Sequence, residues 1–240
     1  MSLMHLGLYH QHLPDKPYYT SKRTTYLDVP HGLYPATAPD AELVTLLQTL
    51  KKPGLQYATI LGNIRPEKNY TLALEALQRM PQMGLIIAGR ASNQNVSTDI
   101  YKDQALALGV ADRVIWVEKF LSEAEMAAII QASELILLYY ARTFTSQSGV
   151  LNTVAPMRKT IVASAGESSL AHTLRQFGIG ILAEPDNLDA LCTALQTALA
   201  NGAASDTAWQ NYLHYASWAH HADTVLAAAR KAGAAAPVVL

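Results

Sequence analysis

The stretch YATILGNIRPEKNY, residues 57–70, decides how the whole chain is read. It opens as a continuous apolar run of strand length, breaks at Gly62, and then sets Arg65 and Lys68 around Pro66. An uninterrupted apolar run bounded by turn residues fits a strand covered on both faces, as in a parallel sheet between helices. Cations directly behind such a strand have no place in its core. They belong to a loop at the carboxyl edge of the sheet.

Five more runs of the same kind follow: GLIIAGR (84–90), RVIWVEK (113–119), ELILLYY (134–140), KTIVAS (159–164) and GIGILAE (178–184). Helical spacing fills the gaps. Tyr70, Ala73, Leu74, Leu77 and Met80 share one face, as do Leu188, Leu191, Leu195 and Leu199. SEAE at 122–125 is a capping box, and Asp186 is the expected cap of the helix through Leu199. Strands alternating with helices predict a Rossmann-like α/β fold: a parallel six-stranded sheet with helices on both faces. The expected organisation is an irregular linker or lead-in over 1–50, a nucleotide-binding Rossmann-like domain over 51–203, and a helical segment over 204–240. The opening MSL reads as a leader, and the tail RKAGAAAPVVL is expected to fray.

Composition narrows the function. The chain has 240 residues, 50% hydrophobic and 15% charged, with a formal net charge of -1, so nothing recruits nucleic acid globally and anion binding must come from a local cluster. Cys192 is the single cysteine, which excludes an internal disulfide and a cysteine metal framework; it reads as a small apolar residue on a helix face. No apolar run reaches the roughly 18 residues of a membrane span. The opening residues lack a basic segment followed by an apolar one, and a cytoplasmic location is expected.

If the strands wind in the order 3-2-1-4-5-6, the first and fourth are neighbours and ligands bind beyond their carboxyl ends. The first loop, NIRPEKN, brings Arg65 and Lys68; the fourth, ARTFTSQSG, brings Arg142, Thr143, Thr145, Ser146, Ser148 and Gly149 as a helix begins. Free amides at a helix start attract anions, glycine allows close approach, and the cations supply charge from the other side. The pattern points to a diphosphate. Gly62, Asn63, Gly89, Arg90, Val117 and Phe120 lie at the same predicted edge, where a nucleoside could rest. His31 and Glu167 are further candidates for the cleft, whereas His214, His220 and His221 are read as packing residues. Neither G-x-G-x-x-G nor G-x-x-x-x-G-K-[ST] occurs, which disfavours nicotinamide and P-loop chemistry.

VPHGLY (29–34), LGNIRPEKNYTLALEAL, LIIAGR, ALGVADRVIWVEKFLSEAEMAAIIQASELILLYY and MRKTIVASAGESSLAHTLRQFGIGILAEPDNLDALCTAL follow one another as in a known family. In order and spacing they resemble the carboxyl-terminal, donor-binding domain of GT-B fold glycosyltransferases of group 1 (family 4-like). The resemblance implies that Arg65 and Lys68 bind the donor diphosphate and that residues 143–149 hold donor sugar and phosphates. It implies a UDP-sugar or GDP-sugar donor, no metal or other cofactor, and a carbohydrate or lipid-linked acceptor in polysaccharide or glycolipid biosynthesis. An amino-terminal Rossmann domain for the acceptor is not found in this sequence, and peripheral membrane association belongs to the full enzyme. One departure is chemical: Thr145 and Thr153 stand where members of the family often carry glutamates. The catalytic residues are therefore left open, and the alternative is a nucleotide-sugar-binding or assembly module without turnover.

Overall fold

The computed structural model describes residues 6–10, 24–92, 96–202 and 204–234. The expected leader, the end of the tail and the domain boundary at residue 203 lie outside them. Two short strands, β1 (Leu6–Tyr9) and β2 (Thr25–Asp28), pair in parallel. They lie within the segment expected as an irregular lead-in, where four residues are too few to show a period. Residues 29–40 then run as a strap without regular secondary structure to α1 (Ala41–Leu50), whose first turn is capped by Asp40 through the Leu43 amide at 2.8 Å.

The main sheet contains β3 (Gln56–Leu61), β4 (Met83–Ala88), β5 (Val114–Val117), β6 (Leu135–Leu138), β7 (Thr160–Ser164) and β8 (Ile181–Ala183). All its pairings are parallel and its order is β5-β4-β3-β6-β7-β8, the doubly wound arrangement expected. The apolar runs divide by the strand period of two. Tyr57, Leu61, Ile86 and Ala88 enter one core; Ala58, Ile60, Leu85 and Ile87 enter the other.

On the first face lie α1, α4 (Glu123–Ala132), α5 (Gly149–Val154), α6 (Ser169–Phe177) and α8 (Asp206–Tyr215). The second is covered by α2 (Tyr70–Arg79), α3 (Asp99–Ala107) and α7 (Leu188–Asn201), with Cys192 buried as expected. The capping box at α4 is formed: the Glu125 amide donates to Ser122 Oγ at 3.2 Å and the Ser122 amide to Glu125 at 2.8 Å. At α7 the expectation is corrected. Asn187, not Asp186, caps the helix through the Ala190 amide at 3.0 Å. Asp186 has φ +57° and accepts instead from Asn69 Nδ2 and the Arg142 amide, each at 3.0 Å.

A last helix, α9 (Trp218–Ala234), returns across β1 and β2. Its Trp218 Nε1 donates to Leu33 O at 2.9 Å, and His221 Nδ1 lies 3.1 Å from Pro30 O. The strap is thereby held between α9 and the sheet domain. Among the described residues no helix is long and apolar enough to cross a membrane.

Candidate functional site

The loops after β3 and β6 meet at the carboxyl edge, as the strand order requires. Between them lies a cleft of about 360 Å³ lined by Arg65, Glu67, Thr143, Phe144, Thr145, Ser146 and Gln147. The backbone that leads into the Arg65 loop is packed through glycine. Gly62 has φ +87° and Gly89 φ +146°, and a Cβ on Gly89 would stand 2.3 Å from Gly62 O. The two backbones are pressed together, with the Gly62 amide donating to Ala88 O at 2.8 Å and the Ile64 amide to Arg90 O at 2.7 Å. Only glycine fits there without moving the loop that carries the cations.

The two cations behave differently. Arg65 reaches the cleft, where Nη1 is 3.3 Å from Glu67 Oε1, while its Nε is buried without a hydrogen-bond partner. Lys68 is folded inward, 5% exposed, and donates to Leu61 O at 2.5 Å. Burial, helped by the nearby Arg65 charge and opposed by Glu67, pushes its ammonium down to about 7. The sequence reading put both cations beside the anion; the structure puts Arg65 in the cleft wall and Lys68 beneath it.

The opposite wall is fixed from behind. The Ser169 and Leu170 amides, at the start of α6, donate to Thr145 O at 3.2 Å and Ser146 O at 3.4 Å, so that helix start holds the loop itself. Phe144 stacks on Tyr140 with centroids 4.0 Å apart and planes 13° apart. The Ser148 hydroxyl is buried and bonded to the Tyr140 hydroxyl at 2.9 Å, whose proton is held more tightly because of burial. Ser148 thus anchors the loop, and Thr143, Thr145 and Ser146 are the hydroxyl residues lining the cleft. A Cβ on Gly149 would meet nothing within 4 Å, so open space lies in front of the α5 start.

A second, apolar cleft of about 340 Å³ lies along α5, lined among others by Tyr34, Met126, Ile130, Gly149, Val150 and Thr153. Val150 of this cleft lies 3.3 Å from where a Gly62 Cβ would stand. The Thr153 hydroxyl donates to Gly149 O at 3.2 Å. Thr145 and Thr153 therefore sit on different clefts.

Other predicted residues are spread along the edge. Phe120 is 71% exposed with the Arg90 guanidinium 5.1 Å from its ring centroid, Val117 is half-buried at the end of β5, and Asn63 and Glu167 are exposed. Arg142 turns from the cleft to Glu184 at 3.1 Å and Pro185 O at 3.2 Å. His31 is held by buried Asn152, whose Nδ2 lies 3.0 Å from both His31 Nδ1 and His31 O. Asn152 Oδ1 accepts from the Tyr212 hydroxyl at 2.5 Å. Asn152, Phe144, Gln147 and Glu67 were not singled out from sequence as site residues; an asparagine inside the apolar run VLNTVA was the one available signal.

Comparison with known proteins gives the family and the fold. Residues 47–213 match the family Glycosyl transferases group 1. D-inositol 3-phosphate glycosyltransferase of Mycobacterium ulcerans (strain Agy99) is 25% identical over 187 residues, covering 75% of this chain and 40% of the relative. Sucrose-phosphate synthase from Thermosynechococcus elongatus superposes with a TM-score of 0.72 at 19% identity over 91% of this chain and 55% of that one. Anabaena Alr3699/HepE, solved in complex with UDP and glucose, gives 0.65 at 16% identity over 86% and 56%. The chain thus spans about 40% of the length of the curated relative. On its family match and its fold, the chain belongs to the group 1 glycosyl transferases, whose structural neighbours have the GT-B fold.

Proposed function

We propose that this chain binds the nucleoside diphosphate of a UDP-sugar or GDP-sugar and serves as the donor side of a glycosyl transfer. The observation that carries the reading is the meeting of Arg65 with residues 143–147 around one cleft at the switch point of the sheet. As the bond from the anomeric carbon to the phosphate oxygen breaks, negative charge gathers on the leaving diphosphate. A guanidinium and backbone donors placed there stabilise it more than the uncharged alternative would. The nucleoside would extend past Gly62 and Val150, with Phe120 and Thr153 as candidates on its flanks, and Lys68 would supply charge from below. The Anabaena neighbour solved with UDP and glucose supports the choice of ligand class.

The acceptor, a carbohydrate or a lipid-linked saccharide, would come from an amino-terminal Rossmann domain. Polysaccharide or glycolipid synthesis at the cytoplasmic side of a membrane, with peripheral association of the whole enzyme, completes the proposal. No metal is invoked. A second reading, nucleotide-sugar binding without turnover, is favoured by one observation: threonines at 145 and 153 provide no carboxylate. Titration calorimetry with UDP, GDP and NAD tests the proposal. Saturable binding of one diphosphate nucleotide and none of NAD is expected; binding of NAD alone would overturn it.

A further inference from the structure

The loop between β3 and α2 gives each of its cations an internal partner. Lys68 rests on Leu61 O, and Arg65 Nη1 on Glu67, the only carboxylate among the described residues lining the polar cleft. Glu67 is fixed in place by its own backbone, since its carbonyl accepts from the Ala141 amide at 2.8 Å. Its side chain is 35% exposed, so it has room to swing into solvent. The pair leaves the guanidinium half used, because Arg65 Nε is buried with no partner. Guanidinium is a planar fork that suits a two-oxygen anion, and a single contact through Nη1 does not fill it.

We propose that Glu67 is an internal counter-anion which an incoming diphosphate displaces from Arg65, so that Glu67 sets how strongly the cleft holds anions. This rests on reading the cleft as a diphosphate site. The groups facing the pair from other elements are Tyr70 on α2, Tyr101 on α3 and Tyr140 after β6, all hydroxyls that burial keeps protonated, with Lys68 below. None of them is a second anion. A phosphate entering beside Glu67 meets a like charge until that carboxylate leaves, and takes over the Nη1 contact once it has left. The opposite role, Glu67 orienting Arg65 for the ligand, predicts the opposite sign on substitution.

Titration calorimetry of inorganic pyrophosphate and of UDP into the full chain and its Glu67→Gln variant separates the two. The variant should bind both anions roughly three- to tenfold tighter, as expected from removing one like charge at a partly exposed site. Equal or weaker binding by a variant that melts normally would overturn the proposal. Glu67→Ala repeats the comparison should the glutamine variant fail to fold. If pyrophosphate gains affinity while UDP binds neither protein, the role of Glu67 stands and the nucleotide-sugar reading falls. If neither anion binds either protein, both fall.

Discussion

Arg65 and Lys68 show what separates a residue that touches a ligand from one that tunes it. Arg65→Ala removes a charged donor from the cleft wall and should weaken UDP or GDP binding by about 1.5–3 kcal/mol, the range for hydrogen bonds to charged groups. Calorimetry giving an unchanged affinity would remove Arg65 from the site. Lys68 carries a stability prediction. Its ammonium, at 10.5 when unfolded, is pushed down to about 7 by burial, so between these values the unfolded chain binds a proton that the folded chain does not. Stability contributed by this group therefore rises as pH climbs from about 7 to about 10.5, and is at its lowest below 7. Urea melts of the wild type and Lys68→Met at several pH values should differ in slope across that window. Parallel slopes would mean that Lys68 stays charged inside the fold. From sequence both residues look alike, since spacing places a cation in a loop but not the direction in which its side chain folds.

At the scale of elements, the six buried strands and their order were legible, because each apolar run is bounded by turn residues and each gap has helical spacing. The short pair β1 and β2 and the cap of α7 were not. Four residues carry no period, and whether Asp186 or Asn187 caps the helix depends on which adopts the left-handed conformation. The anchoring of the strap by Asn152 was equally hidden, for its partners His31 and Tyr212 lie 121 and 60 residues away. Asn152→Ala should strand the Tyr212 hydroxyl and the His31 carbonyl inside the protein and cost about 2–4 kcal/mol by denaturant unfolding. A loss under about 0.5 kcal/mol, the ordinary range for surface changes, would show that the strap is held chiefly by α9.

For the molecule as a whole, the proposal assigns this chain the donor side of the reaction and leaves the acceptor to a second domain. The switch-point cleft lies on this chain, whereas the chain spans about 40% of the curated relative. Under that proposal the 240-residue chain alone is expected to bind a nucleoside diphosphate and to transfer no sugar, because acceptor binding and cleft closure would fall to the second domain. Radiolabelled UDP-sugar and GDP-sugar assays against saccharide acceptors check this, and transfer by the isolated chain would contradict it. The cleft's position was legible from strand order alone, but its wall was not: the fourth loop is held by α6 amides and by Tyr140 stacked on Phe144, contacts between segments that no local pattern links. The most direct test is a crystal structure of the chain with UDP or GDP bound. The account predicts the diphosphate between Arg65 and residues 145–149, with phosphate oxygens within about 3.2 Å of the guanidinium and of the amides opening α5. Phosphates lying more than about 6 Å from both, beyond any direct hydrogen bond, would contradict it.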